Sequence, residues 1–182
     1  MKGSVKNRTQ DMVYIALFSV VIAVCAWIVI PMAIPFTLQT FAVFLTVAVL
    51  GGKRGVLAVL LYLLLGAIGI PVFSGFTGGI GILLGHTGGF IMGFLLAALF
   101  MWAAERLFGR KSVVLAVSML IGLLICYVFG SLWYRMVYAP DAEGGMKAVL
   151  ATCVLPFVLP DLLKIALVFP VRKRIKKAIK ID

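Results

Sequence analysis

The sequence predicts an all-α integral membrane protein, built as a bundle of six transmembrane helices. Three observations predict this class: 64% of the 182 residues are hydrophobic, only 13% are charged, and the mean hydropathy is +1.19. Because soluble domains are about half apolar and about a quarter charged, the outer surface of this chain is expected to face lipid. At roughly 20 residues per span, the chain has room for about six helices and no separate extramembrane domain.

Six apolar runs separated by turn residues define the predicted spans of one membrane domain, 1–182. The first run is long enough to be retained as a span rather than cleaved as a signal peptide. The second is short and follows Pro31 and Pro35, which favours a segment folded over the outer face before the helix begins. The approximate spans are 12–32, 38–52, 55–72, 88–105, 112–134 and 148–171, with 172–182 as a basic cytoplasmic tail.

The basic residues indicate the orientation of the bundle. If the spans alternate in direction, 14 of the 17 Lys and Arg residues fall on one side, while Arg135 and Lys147 fall on the other and Lys164 lies inside the last span. Since Lys and Arg are enriched in cytoplasmic loops, both termini are predicted to be cytoplasmic in a multi-pass protein of the cell membrane. The net charge of +11 is explained by this topology, and no nucleic-acid partner is predicted.

Two opposite charges, Asp161 and Lys164, lie within the last apolar run. Each costs about 2.5 to 3.5 kcal/mol to insert at a helix centre, so such residues are by default functional, and their spacing of three places them on one helical face. The alternative is a structural ion pair, or a Lys that snorkels to the surface. Pro160 suits a kinked, cavity-lining helix. A carboxylate that accepts beside an ammonium that donates matches a cyclic urea or amide.

Two unusual loops are predicted to cover an outward-facing ligand pocket. The segment 73–89 is apolar yet contains seven glycines, which indicates either the lining of a cavity or a flexible outer loop. By the alternation of spans it lies on the same side as the Pro-rich segment 32–39. Besides Asp161 and Lys164, the predicted ligand-binding residues are Phe36, Thr37, Gln39, Phe73, Gly78, Gly79, Thr87 and Phe90. Packing or lipid contact is the alternative for the aromatic residues, and helix capping or loop stabilisation for Gln39.

Small residues recur on one side of the first span at intervals of three or four. Ala16, Ser19, Ala23 and Ala26 allow close helix approach. They indicate either a docking face for another membrane subunit or internal packing within the bundle.

Several motifs are absent from the sequence. It contains no Walker loop, so it is not expected to energise transport with ATP by itself. It also lacks G-x-S-x-G, H-E-x-x-H and a second intramembrane acid for an aspartyl dyad, which disfavours an enzyme. The three cysteines lie in apolar runs, where thiols behave as small buried hydrophobes. No metal site, disulfide or catalytic residue is predicted, and His86 is given no role.

Four segments resemble the BioY family, the biotin-specific substrate-capture (S) components of energy-coupling factor (ECF) vitamin transporters. They are Ile34-Pro-Phe-Thr-Leu-Gln-Thr-Phe41, Gly52-Lys-Arg-Gly55 followed by Leu60-Leu-Tyr-Leu-Leu-Leu-Gly66, Gly69-Ile-Pro-Val-Phe73, and Asp161-Leu-Leu-Lys164. Two positions depart from the family pattern. The chain has Gly85-His-Thr-Gly-Gly-Phe90 where the family usually reads Gly-Pro-Thr-Gly-Gly-Tyr, and Pro160 where a Gly commonly precedes the acid.

The resemblance implies a six-helix S component that binds biotin as transported ligand and has no cofactor. It also implies partners, namely a transmembrane coupling subunit that docks near the small-residue face of span one, and two cytoplasmic ATPase subunits. The alternatives are an S component for a different vitamin and a membrane structural or assembly protein without a transport role.

Overall fold

The computed structural model describes residues 2–31, 34–138 and 145–178, which form eight α-helices and one short β-hairpin. Met32 and Ala33 of the Pro-rich segment and Lys180 of the basic tail lie outside the described residues. The elements are α1 Lys2–Trp27, β1 Val29–Ile30, β2 Phe36–Thr37, α2 Gln39–Leu50, α3 Gly52–Ala67, a 3-10 turn Ser74–Phe76, α4 Ile80–Leu84, α5 Gly88–Phe108, α6 Ser112–Val137, α7 Gly145–Cys153 and α8 Leu155–Ala178.

The prediction of a mostly helical protein is confirmed. Among the described residues, three helices are long and apolar enough to cross a membrane: the part of α1 from Arg8 to Trp27, α5 and α6. The consecutive helices α7 and α8 are bent by 40° relative to each other and make a fourth if the pair is one span. The apolar helix α2 has 12 residues and is about 18 Å long, well short of the roughly 30 Å hydrocarbon core.

The short helix α2 lies at the centre of the bundle. Helices α1, α3, α5 and α8 all pack against it, and each of its residues from Ala42 to Leu50 is buried. This explains why α2 is apolar on every face instead of showing one apolar stripe. The buried Thr46 hydroxyl has a hydrogen-bond partner within the same helix, because it donates to the Ala42 carbonyl at 2.7 Å. Gly51, with φ of +87°, ends α2 and reverses the chain directly into α3.

Helices α5 and α6 approach closely because glycines line their contact. A Cβ atom at Gly89 would collide with the Trp133 side chain, and one at Gly130 would collide with the Phe90 ring. Small residues at such contacts let helix backbones come together in a membrane protein. The close approach places the Phe90 ring between the two helices at the edge of the cavity described below.

The basic segments meet at one end of the bundle. Arg54 at the start of α3 pairs with Asp11 of α1 at 3.0 Å. Glu105 near the end of α5 accepts from the Gly52 N–H at 2.7 Å and pairs with Arg110 at 3.3 Å. The α2–α3 and α5–α6 junctions, which the sequence assigns to a common side of the membrane, therefore lie together, beside Asp11 of α1.

Three of the four small residues on α1 are buried inside the chain. Ser19, Ala23 and Ala26 are 2%, 4% and 0% exposed, whereas Ala16 is exposed. Helix α1 packs on α2 and α3, and the Ser19 hydroxyl donates to the Ala16 carbonyl at 2.8 Å. Internal packing thus accounts for these three positions, and docking of a partner at this helix stays a prediction.

Candidate ligand-binding site

A buried ion pair on α8 forms the polar centre of the site. The Lys164 ammonium lies 2.7 Å from Oδ1 of Asp161, one helical turn earlier, and the two residues are 5% and 3% exposed. The Tyr127 hydroxyl of α6 donates to Oδ2 of the same carboxylate at 2.7 Å. Both carboxylate oxygens therefore accept from a donor, so neither is left unpaired in an otherwise apolar interior.

The β-hairpin after α1 closes over the lysine. Antiparallel pairing of Val29 with Thr37 and of Ile30 with Phe36 fixes the register of this hairpin. Its Thr37 carbonyl accepts from the Lys164 ammonium at 2.7 Å. The Phe36 ring lies 4.0 Å from the same nitrogen, in the range of a cation–π interaction. Two elements far apart in sequence are thus joined through one side chain.

Gln39, the first residue of α2, is held from two directions. Its backbone N–H donates to the Thr37 hydroxyl at 3.2 Å, and its side-chain amide donates to the Tyr62 hydroxyl of α3 at 2.9 Å. The Tyr62 ring in turn meets Phe73 edge-on, with centroids 5.5 Å apart. The amide is therefore oriented by protein contacts at the edge of the cavity, where its carbonyl can act as an acceptor.

A cavity of about 70 Å³ lies beside these groups. That volume accommodates only a few water molecules. The wall is mostly apolar and aromatic, with a few converging polar groups, as is common for small-molecule sites. The lining residues are Ile34, Pro35, Thr37, Gln39, Thr40, Ser74, Thr87, Phe90, Ile91, Phe94, Leu123, Cys126, Tyr127, Cys153, Phe157, Asp161 and Lys164.

The structure brings most of the predicted site residues together. The predicted residues that line the cavity are Thr37, Gln39, Thr87, Phe90, Asp161 and Lys164, and Phe36 contacts the lysine. Three others are placed away from the cavity wall: Phe73 is 1% exposed beneath Gly66, Gly79 donates to the Gly66 carbonyl at 2.7 Å, and Gly78 abuts the Ile70 carbonyl.

The Gly-rich segment is ordered by contacts from two tryptophans. The Trp133 indole N–H donates to the Gly85 carbonyl at 3.0 Å, and that of Trp27 donates to the Pro71 carbonyl just before the segment at 2.9 Å. Of the two readings that the sequence leaves open, cavity lining applies to Ser74 and Thr87. Three large side chains of the same segment, Phe76, Ile80 and Leu84, are exposed instead.

Sequence reasoning missed Tyr127, the third member of the polar centre. It lies in an apolar run with no charge nearby in sequence, and only the fold brings it to Asp161. The available signal was a phenol in the middle of a span, because a buried hydroxyl requires a partner. Cys126, Cys153 and Phe157 were also missed as lining residues. Among the described residues, no three His, Cys, Asp or Glu side chains are grouped as a metal site.

Comparison with known proteins identifies the family. The family model described as the BioY family matches residues 1–181. The chain belongs to the BioY family. Two relatives support this: the biotin transporter BioY of Thermotoga maritima is 38% identical, over 92% of this chain and 96% of its own, and the probable biotin transporter BioY of Pyrococcus horikoshii is 37% identical, over 93% and 98%.

A solved structure has the same fold as this BioY family member. The S-component for biotin from an ECF-type ABC transporter superposes with a TM-score of 0.82, covering 94% of this chain and 93% of that one. The two sequences are only 22% identical in this alignment. The helical arrangement described above is therefore that of the S-component structure.

Proposed function

We propose that this protein captures biotin and takes it up across the cell membrane as the S component of an ECF-type transporter. The named relatives are biotin transporters, and the structural neighbour is a biotin S-component. The protein is a transporter subunit, not an enzyme.

The observation that carries this proposal is the polar centre formed by Asp161, Lys164 and Tyr127 at the wall of an apolar cavity. The ureido ring of biotin has two N–H donors and one carbonyl acceptor. The carboxylate of Asp161 accepts such donors, and the Lys164 ammonium donates to such an acceptor. The single proton of the Tyr127 hydroxyl is engaged by Oδ2 of Asp161, so Tyr127 holds the carboxylate in position. A pair with no net charge suits a neutral ring, because neither partner is left uncompensated when the ligand leaves.

Binding is coupled to movement of the hairpin through the Thr37 carbonyl. In the structure this carbonyl accepts a hydrogen bond from the Lys164 ammonium. The carbonyl of a ureido ring could accept the same hydrogen bond in its place. Because the ligand can take the place of this acceptor, the hairpin can open to admit it without leaving the ammonium unpaired. The cavity can then widen at little electrostatic cost, and closure over the ligand excludes water from the polar centre.

The proposal includes six membrane crossings with both termini in the cytoplasm. Helices α1, α5 and α6 and the bent pair α7–α8 provide four, and the shorter helices α2 and α3, extended by their neighbouring loops, provide two. Because the chain has no Walker loop, energy must come from other subunits. We assign this to a transmembrane coupling subunit and two cytoplasmic ATPases, and we assign the exposed side of α1, which includes Ala16, to docking.

The test is retention of labelled biotin by the purified full-length chain in detergent. We expect co-purification of biotin and its displacement by unlabelled biotin, but not by riboflavin or thiamine. Displacement by one of those vitamins would identify a different S component. Absence of retention for all three, with a monodisperse and thermally stable sample, would argue for a structural or assembly protein.

A further inference from the structure

The basic end of the bundle contains a second cavity, separate from the ligand site. It measures about 440 Å³ and lies between the start of α6 and the last turns of α8. Four of its six lining residues are cations, and none is acidic: Ser112, Phe169, Arg172, Lys173, Lys176 and Lys177. Four positive charges on one concave surface add up to a strongly positive electrostatic potential, and such a surface attracts anions.

The most enclosed cation of this cavity lacks a complete set of protein partners. Within the described part of the chain, Nε of Arg172 is buried without a hydrogen-bond partner. The nearby carboxylate of Glu105 is already engaged by the Gly52 N–H and by Arg110. Burial and the Arg110 guanidinium lower the pKa of Arg172, and burial, Arg110 and Arg172 lower the pKa of Lys176, while the Glu105 carboxylate opposes both shifts without reversing them. These cations are therefore under-compensated in the protein alone.

The position along α8 favours a lipid over a soluble anion. Leu159, Leu163 and Leu167 are 70%, 60% and 56% exposed and follow one another at intervals of four, as residues that face the acyl chains would. Arg172 follows Leu167 by five residues, or about 7.5 Å of helix. The half-buried Phe169 lies between them and lines the cavity. The cavity therefore begins about one and a half helical turns beyond the last of these leucines, on the side of α8 that carries Phe169, and we assign it to the depth of the lipid head groups.

We propose that this cavity binds the phosphate head group of an anionic phospholipid of the cytoplasmic leaflet, with Arg172 and Lys176 as its principal contacts. A guanidinium and an ammonium provide charge-assisted hydrogen bonds to phosphate oxygens, and the Ser112 hydroxyl adds a neutral donor. Basic pockets between helices on the cytoplasmic side are where such head groups bind. The inference rests on the proposed orientation of the bundle and not on the identity of the transported vitamin.

Native mass spectrometry of the full-length protein tests the proposal, with phosphatidylglycerol as probe and phosphatidylcholine of the same acyl chains as comparison. We expect bound phosphatidylglycerol to exceed phosphatidylcholine. The Arg172→Gln/Lys176→Gln variant should lose at least about tenfold in affinity for phosphatidylglycerol alone, because each of the two lost charged hydrogen bonds is worth about tenfold or more. The Lys173→Gln/Lys177→Gln variant serves as a second test if the first does not fold. Millimolar inorganic phosphate should not displace the lipid.

The matched control is Lys53→Gln/Arg106→Gln. Both residues are exposed at the same end and lie outside this cavity, so the control changes the net charge equally and should bind phosphatidylglycerol as the wild type does. An equal loss in the control would show diffuse surface attraction and overturn the proposal. Equal binding of the two lipids would also overturn the proposal, and a protein partner would then be the alternative ligand of the basic end. Displacement by phosphate would reduce the cavity to a simple anion site.

Discussion

At the scale of single residues, the site depends on the balance between one buried anion and one buried cation. Asp161 has one donor on each oxygen, Lys164 and Tyr127. Lys164 in turn has the carboxylate, the Thr37 carbonyl and the face of Phe36 around its nitrogen. Removing one charge leaves the other uncompensated in a low dielectric, which is more damaging than removing both.

Asp161→Asn should weaken biotin binding by roughly 10-fold to 150-fold, because a hydrogen bond to a charged group is worth about 1.5 to 3 kcal/mol. The amide keeps the size of the side chain but accepts less strongly and leaves Lys164 unpaired. Isothermal titration calorimetry on the purified protein measures the change. Thermal unfolding of the same sample separates lost binding from lost folding.

The control for this variant is Asp11→Asn, which removes a carboxylate from a partly exposed pair at the opposite end of the bundle. It should bind biotin within a factor of about two of the wild type. The double variant Asp161→Asn/Lys164→Met removes both charges and should fold better than Asp161→Asn alone, yet bind poorly. If Asp161→Asn and Lys164→Met each retain wild-type affinity within about twofold, the pair is structural and the site is elsewhere.

Residues of this site differ in how visible they are in the sequence. Asp161 and Lys164 stand out because charge is rare in an apolar run and their spacing places them on one face. Tyr127 does not, since its role follows from the packing of α6 on α8. Phe73 and Gly79 are predicted from the sequence to bind the ligand but contact α3 instead, although other residues of their loop line the cavity. Sequence composition identifies a segment, and only the backbone path decides which side chains reach the ligand.

At the scale of elements, the hairpin β1–β2 is the part that we propose moves when biotin binds. The cavity beneath it is small, and the hairpin contacts α8 through the Thr37 carbonyl and the Phe36 ring on Lys164 and through stacking of Phe36 on Phe157. Single cysteines at 36 to 39, in a background lacking Cys25, Cys126 and Cys153, should react with a membrane-impermeant maleimide more slowly when biotin is present. Without biotin, the half-buried positions 36 and 38 should react faster than the buried positions 37 and 39.

Phe76→Cys provides the matched control for these labelling rates. Phe76 lies in the neighbouring loop, is 64% exposed and stacks on Trp27 at the end of α1. Its cysteine should react at the same rate with and without biotin. Labelling at 36 to 39 that ignores saturating biotin would contradict a moving hairpin, and a parallel slowing at position 76 would indicate a global change instead.

Helix boundaries differ from the ends of the predicted apolar runs. The predicted runs 88–105 and 112–134 lie within α5 and α6, because long apolar helices carry a strong signal. The predicted run 55–72 extends past the end of α3 at Ala67, since the residues after Ala67 are apolar while the backbone turns. The predicted run 148–171 contains the 40° bend between α7 and α8. Apolarity reports the environment of a segment, whereas helix ends depend on local hydrogen bonds.

At the scale of the whole molecule, the two ends of the bundle differ in chemistry. One end holds the hairpin, the Gly-rich segment and the ligand cavity. The other holds Arg54, Arg110 and Arg172, where Arg54 pairs with Asp11 and Arg110 pairs with Glu105. A membrane potential and an anionic inner leaflet both favour placing the basic end in the cytoplasm. The same placement points the cavity toward the substrate outside.

This orientation predicts opposite labelling of the two ends in intact cells. Phe76→Cys should react with an impermeant maleimide added from outside, because its loop belongs to the cavity end. Ala178→Cys, exposed at the last residue of α8, should react only after the membrane is permeabilised. Both substitutions are tested in the background without the native cysteines, so only the introduced cysteine can react. Comparing labelling before and after permeabilisation then reports the side of the membrane on which it lies. Reaction of Ala178→Cys from outside would invert the bundle. It would then place 14 of the 17 basic residues on the outer side, against the charge asymmetry that orients short-loop membrane proteins, and the cavity could not collect a vitamin from the medium.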